Sequence, residues 1–192
     1  MMIIKRLITL VFLGFFTGIC WAQDVLAADD KREIVIEDIG DVLQIALPGS
    51  AGLSTLFMRD KEGFWQFLKS YGGTVGLTYI LKYSFNKPRP ESAADGHAFP
   101  SGHTSSAFSG ASFIQRRYGW KYGVPAYALA VFVAYSRLEG ENDRHDVWDV
   151  LGGMLVGIGN TYIFTTPYQK DHYEFSFYGG KDSYLLGLKY RF

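Results

Sequence analysis

Two histidines, one aspartate and a set of basic residues fall in three clusters whose shared chemistry is the handling of an anion. The first is KYSFNKPRP, Lys82 to Pro90. Prolines flank Arg89 on both sides. Each fixes its own φ and pushes the residue before it out of the helical region, so a helix ending near Phe85 cannot continue through the cluster. Arg89 is thereby held on a stiff extended strut, where a guanidinium can make a forked contact to phosphate oxygens while Lys82 supplies a point charge. The second is PSGH, Pro100 to His103. Ser101 suits an N-cap and Gly102 permits a tight turn, which puts His103 in the first turn of the next helix. Unpaired N–H groups and the helix dipole favour an anion there, and a histidine beside that anion is held protonated and able to give a proton away. The third is SRLEGENDRHDVWD, Ser136 to Asp149. Arg137 ends one helix, and a polar loop leads to HDVWD, which opens another. His145 and Asp149 are four apart on one helix face, so the carboxylate can accept from one ring nitrogen and leave the other as nucleophile or base.

Each cluster alone has a plainer reading: a helix end with exposed basic residues, a capping turn with a surface histidine, an i,i+4 polar pair. Taken together, Lys-x6-Arg-Pro, then Pro-Ser-Gly-His, then Ser-Arg with His-x3-Asp resembles the three-part signature of the phosphatidic acid phosphatase type 2 superfamily. That superfamily includes lipid phosphate phosphatases, bacterial nonspecific acid phosphatases and vanadium haloperoxidases. The resemblance runs from Lys82 to Asp149, about a third of the chain. It implies that Lys82, Arg89 and Arg137 hold the phosphate oxygens together with Ser101 and the backbone of Gly102. It further implies that His145 attacks phosphorus to form a phosphohistidine, that Asp149 orients it, and that His103 protonates the leaving alkoxide before water releases phosphate. Phosphoryl transfer asks above all for positioning and charge neutralisation, which this residue set offers. No cofactor and no metal is called for, because the clusters lack the grouped carboxylates that a magnesium or two-metal site requires.

The chain departs from the family pattern at one place. Seven residues, Leu138 to Arg144, separate Arg137 from His145, two more than the pattern has. The excess falls in a polar loop between helices, where insertions are tolerated, and it is expected to leave both residues in place. Asp143 and Arg144 then become candidate rim residues. His97 is read as a solvated loop histidine, His172 as incidental, and Trp120, Tyr122 and Tyr127 as core or interface aromatics.

The elements that must position these clusters are helical. Apolar periodicity predicts helices over about Asp41 to Met58, Lys61 to Phe85, His103 to Tyr118, Tyr122 to Arg137 and His145 to Phe164, with Asp29 to Asp38 as a loose charged lead-in. Each is apolar around much of its circumference, and small residues such as Gly72, Gly73 and Gly76 allow close approach. The expected fold is all-α, a bundle of about five to six helices, with a C-terminal β-hairpin. The hairpin is predicted from HYEFSFYGGKDSYLLGLKYRF, which alternates around GGKD, and it is expected to lie on the helical body. Residues 29–168 form the helical domain and 169–192 the hairpin. Charges at Arg59, Asp60, Lys61, Glu62, Lys69 and Lys82 interrupt the apolar stretches. A soluble or membrane-associated domain is therefore favoured over an integral bundle.

Composition narrows the function classes. The formal net charge is zero, which leaves no nucleic-acid footprint. Lys5 and Arg6 precede the apolar run Leu7 to Ile19 and small residues follow, the layout of a signal peptide over residues 1–22, with cleavage as late as Ala28. Either cut removes Cys20, the one cysteine, and leaves a mildly acidic mature chain without a thiol. The sequence thus points to an exported, metal-independent phosphatase of the periplasm or cell envelope. Its expected substrates are phosphate monoesters or pyrophosphates, a phosphorylated lipid at a membrane surface or a small phosphoester. Two alternatives stay open: a vanadate-dependent haloperoxidase, and a non-catalytic envelope-associated anion-binding protein.

Overall fold

Short side chains decide which helix sits in the middle. A computed structural model describes residues 29–89, 96–139, 145–168, 173–180 and 184–190. Its elements are α1 (Asp29–Phe57), α2 (Lys61–Phe85), α3 (Gly102–Tyr118), α4 (Trp120–Glu139), α5 (Val147–Phe164), β1 (Tyr173–Gly179) and β2 (Tyr184–Tyr190). The chain is thus mostly helical with a small antiparallel hairpin at its C-terminal end. Helix α3, GHTSSAFSGASFIQRRY, carries so many Ser, Ala and Gly residues that neighbours pack around its whole circumference, and nearly all of it from Thr104 to Gln115 is buried.

The contacts give the direction of each neighbour. On α1, Leu43, Leu47 and Ala51 repeat at the four-residue spacing of one helix face and are buried. Ser106 Oγ donates to the Gln44 carbonyl at 2.8 Å and Gly110 lies against Pro48, so α1 runs parallel to α3. Helix α2 runs antiparallel, Thr78 to Ser105 at 2.9 Å and Thr74 to Ser109 at 3.3 Å. Helix α5 is parallel and packs close. A Cβ on Gly153 would stand 2.6 Å from the Ser101 carbonyl oxygen, and one on Gly157 would stand 2.5 Å from that of Ser105. Glycine is what lets α5 reach that distance. Phe67 and Phe113 meet edge to face at 5.2 Å in the core. With these directions the end of α2, the start of α3, the end of α4 and the start of α5 all fall at one end of the bundle.

The opposite end is closed by a buried ion pair. Asp60 caps α2, accepting from Gly63 N–H at 2.8 Å. Its two oxygens also take Nε and Nη2 of Arg117, both at 2.7 Å, and Tyr118 donates at 3.2 Å. Burial alone would raise the Asp60 carboxyl, but the Arg117 fork, the Gly63 N–H and Tyr118 outweigh it and hold it below the usual carboxylate range.

Three expectations are corrected. The segment Asp29 to Asp38 is not a loose lead-in but belongs to α1; it has no helix breaker. His145 does not open α5. It precedes the N-cap Asp146, whose side chain and that of Asp149 form a reciprocal capping box. The hairpin pairs Tyr173 with Tyr190 and Phe177 with Leu186, yet Phe177, Tyr178, Leu185 and Leu186 are exposed and no helix packs extensively against either strand among the described residues. The leader with Cys20, the segment from Pro90 to Asp95, Asp143, Arg144, His172 and the Lys181–Ser183 part of the turn lie outside the described residues.

Because Asp60 and Arg117 are both shielded from water, removing one partner strands the other charge. Arg117→Ala is expected to cost about 3–5 kcal/mol, measured as a lowered denaturation midpoint, with oxyanion binding at the far end of the bundle unchanged in the folded fraction.

Candidate active site

The three clusters are joined through backbone as well as side chains. Ser101 N–H donates to the Asp149 carbonyl at 2.9 Å, tying the PSGH turn to the first turn of α5. His145 N–H donates to the Arg137 carbonyl at 2.9 Å, so the ends of the longer loop are clipped directly to one another. Lys82 Nζ donates to the His97 carbonyl at 2.7 Å, and His97 Nδ1–H returns a bond to the Lys82 carbonyl at 3.1 Å. His97, with φ 75°, therefore fastens the segment before PSGH to the end of α2 rather than standing as a solvated loop histidine.

These ties surround one cavity of about 410 Å³ lined by Lys82, Arg89, Gly102, His103 and His145, and extending along Gln44, Tyr71, Thr78 and Tyr79 between α1 and α2. Both imidazoles line the same space. Ser101 does not. Its hydroxyl is fully buried under the turn, accepting from Thr104 N–H at 3.4 Å and from the Thr104 hydroxyl at 3.1 Å. What it gives the cavity is the shape of the turn. Arg137 is also behind the wall: Nη2 donates to the Glu37 carbonyl at 3.0 Å and Nη1 is 3.0 Å from Asp41 Oδ1.

The His145–Asp149 pair has the geometry that its spacing predicts. Nδ1–H of His145 faces Asp149 Oδ2 at 3.4 Å, which places the ring's lone pair on Nε2. Asp149 is completely buried and is balanced by Lys87, whose Nζ stands 2.8 Å from Oδ1 and also pairs with Asp146. Sequence reasoning missed Lys87, although it sits inside the first cluster on the same proline-stiffened strut. Burial works against its charge, but Asp146 and Asp149 together raise the Lys87 amine above its ordinary value.

Electrostatics in the cavity disfavour further positive charge. Burial, followed by Arg137, Lys82 and Arg89, pushes His103 down to about 4 against the opposing pull of Asp41. Burial, Lys82 and Arg89 likewise bring His145 down to about 4, against Asp149. A neutral His145 is the form with a lone pair to use. A doubly negative oxyanion among these cations would offset their charge and favour the protonated form of His103.

The comparisons agree with this geometry. The model of the PAP2 superfamily matches residues 63–173. The chain is 33% identical to the lipid A 4'-phosphatase of Helicobacter pylori over 172 residues, which is 82% of this chain and 85% of that protein. It is 41% identical to the lipid A 1-phosphatase of Porphyromonas gingivalis over 86 residues, 43% of this chain and 19% of that longer protein. The crystal structure of LpxE from Aquifex aeolicus superposes with a TM-score of 0.58, at 23% identity, covering 71% of this chain and 87% of that one; this likeness speaks to the fold. The chain belongs to the PAP2 superfamily. It is a phosphatase, and its relatives by sequence act on lipid A.

Tungstate carries no proton of its own at pH 8, so any proton that accompanies its binding enters the protein. Binding at pH 8 is expected to take up as much as about one proton per tungstate through His103, read by calorimetry in buffers of different ionisation enthalpy. His103→Gln should abolish the uptake; a buffer-independent enthalpy in the unaltered chain would mean that His103 stays neutral.

Proposed function

We propose that this chain is an exported, metal-independent lipid A phosphatase, acting on the 4'-phosphate and forming a phosphohistidine on His145. The observation that carries the reading is the single cavity in which two imidazoles, Lys82, Arg89 and the Gly102 turn converge. The relationship to a lipid A 4'-phosphatase over most of both chains supports the substrate.

In this mechanism Lys82, Arg89 and the backbone at Gly102 take the phosphate oxygens, and Arg137 adds positive potential from behind. His145 Nε2 attacks phosphorus; the P–N bond forms as the ester P–O bond breaks. The departing oxygen takes a proton from His103. Water then attacks phosphorus, gives its proton to His103, and displaces His145 as phosphate leaves. Asp149 takes no proton and steadies the positive charge that grows on His145.

The outer surface supports a substrate met at a bilayer. Ile45 on α1 is 70% exposed, Ile80 on α2 62%, and Leu155 and Ile163 on α5 both 74%. So much exposed aliphatic surface on a helical bundle fits an acyl environment better than water. Among the described residues one helix, Val147–Phe164, is long and apolar enough to cross a membrane. In the proposed arrangement the apolar flanks rest against lipid and the cavity opens at head-group level.

The test is phosphate release from a panel presented in mixed micelles: lipid A, phosphatidylglycerol phosphate, isoprenyl pyrophosphate and a soluble monoester, each with chelator present. Lipid A should be the preferred substrate, chelator should leave the rate unchanged, and His145→Ala should lower it by about 10⁴-fold or more. Equal release by the variant would remove His145 as nucleophile, and loss with chelator would remove the metal-free mechanism.

A further inference from the structure

A second carboxylate, in none of the three clusters, stands next to His103. Asp41, on α1, places Oδ1 3.2 Å from His103 Nε2 and 3.0 Å from Arg137 Nη1. It does not line the cavity; it stands behind the two side chains. Its position follows from close helix packing. At the adjacent Gly40 a Cβ would fall 2.1 Å from Ser136 Oγ and 2.9 Å from Arg137 Nη2. The missing side chain therefore lets α1 ride against the end of α4. One turn earlier on α1, the Glu37 carbonyl takes the other arm of the same guanidinium at 3.0 Å. Arg137 is thus clamped along α1, and Asp41 Oδ1 lies within ion-pair reach of both the guanidinium and the His103 ring, without an aligned hydrogen bond to either.

We propose that Asp41 is the positioning residue of His103, as Asp149 is of His145, so that each imidazole has its own carboxylate. Resting on the phosphatase reading, the assignment gives each nitrogen of His103 a task. Nε2–H is held by Asp41, and Nδ1 is the nitrogen that exchanges a proton with the reacting oxygens. In the first half-reaction Nδ1–H goes to the leaving oxygen. In the second Nδ1 recovers a proton from the attacking water. Asp41 remains ionised throughout and stabilises the imidazolium. The groups that face His103 are Asp41 from α1, Lys82 from α2, Arg89 from the strut, Arg137 from α4 and His145 ahead of α5. Asp41 is the carboxylate among them and opposes the three cations.

An opposite role is chemically reasonable and has opposite consequences. A carboxylate oxygen between an imidazole and a guanidinium also resembles a bound phosphate oxygen, so Asp41 would then be a competitor that substrate must displace. Asp41→Asn separates the two. As a positioning residue, its loss should reduce the proton uptake that accompanies tungstate binding at pH 8 by at least half, with tungstate affinity falling no more than a few-fold. It should lower kcat about 10- to 100-fold for an ester with a poor leaving group such as a short-chain phosphatidic acid. It should lower kcat much less for p-nitrophenyl phosphate, whose leaving group needs little proton assistance, while Asp41→Glu recovers part of the loss. Tighter tungstate binding with undiminished turnover would overturn the proposal in favour of a competitor. Proton uptake unchanged in a variant of unaltered melting temperature would overturn it outright. Absence of proton uptake in the unaltered chain would instead remove the acid role of His103 on which the proposal rests.

Discussion

The arrangement depends on a carboxylate with no access to water. Asp149 is completely buried, a placement that is severely unfavourable for a charge unless it is neutralised and hydrogen-bonded. Every group that satisfies it belongs to the site. Lys87 comes from the proline strut, the His145 ring and the Asp146 N–H from the approach to α5. The same residue's carbonyl receives Ser101 N–H from the PSGH turn. One residue thus joins the three segments that carry the chemistry. The contacts that satisfy Asp149 are therefore the ones that hold residues as far apart as 87 and 149 together.

Around that anchor the protein gathers more positive charge than its histidines tolerate. Lys82, Arg89 and Arg137 act on His103, and Lys82 and Arg89 on His145. The result favours two neutral imidazoles. In the proposed mechanism an incoming oxyanion would supply the missing negative charge and favour protonation of His103, while Asp149 faces Nδ1 of His145 and leaves the lone pair on Nε2. Small residues make this density of charge feasible. Gly153 and Gly157 bring α5 onto α3, and Gly40 brings α1 onto Arg137; a methyl at any of them would move a helix that carries a site residue.

Much of this was legible in the sequence because it is local. Prolines around Arg89, the Ser-Gly of the turn and the four-residue spacing of His145 and Asp149 are short-range constraints, and the structure brings Lys82, Arg89, Gly102, His103 and His145 to one cavity. Helix identities were legible from apolar periodicity, and the hairpin from alternation. What was not legible is what helices do to one another. Asp41 looks like any acidic residue on an amphipathic helix until Gly40 sets α1 against α4. Lys87 is one of several basic residues on the strut until α5 presents Asp149 to it. His97 appears to be a loop residue until its left-handed backbone turns its carbonyl toward Lys82. Ser101 reads equally well as a phosphate ligand or a cap, and only the position of Thr104 separates the two. The placement of the hairpin could not be read either, since alternation shows that two strands pair but not what they rest on.

The backbone bond from His145 N–H to the Arg137 carbonyl closes the segment between them at its neck. Arg137 and His145 are held to one another at that neck, independently of how many residues lie between them. This gives the enzyme a place where natural variation in length and composition is decoupled from the chemical step.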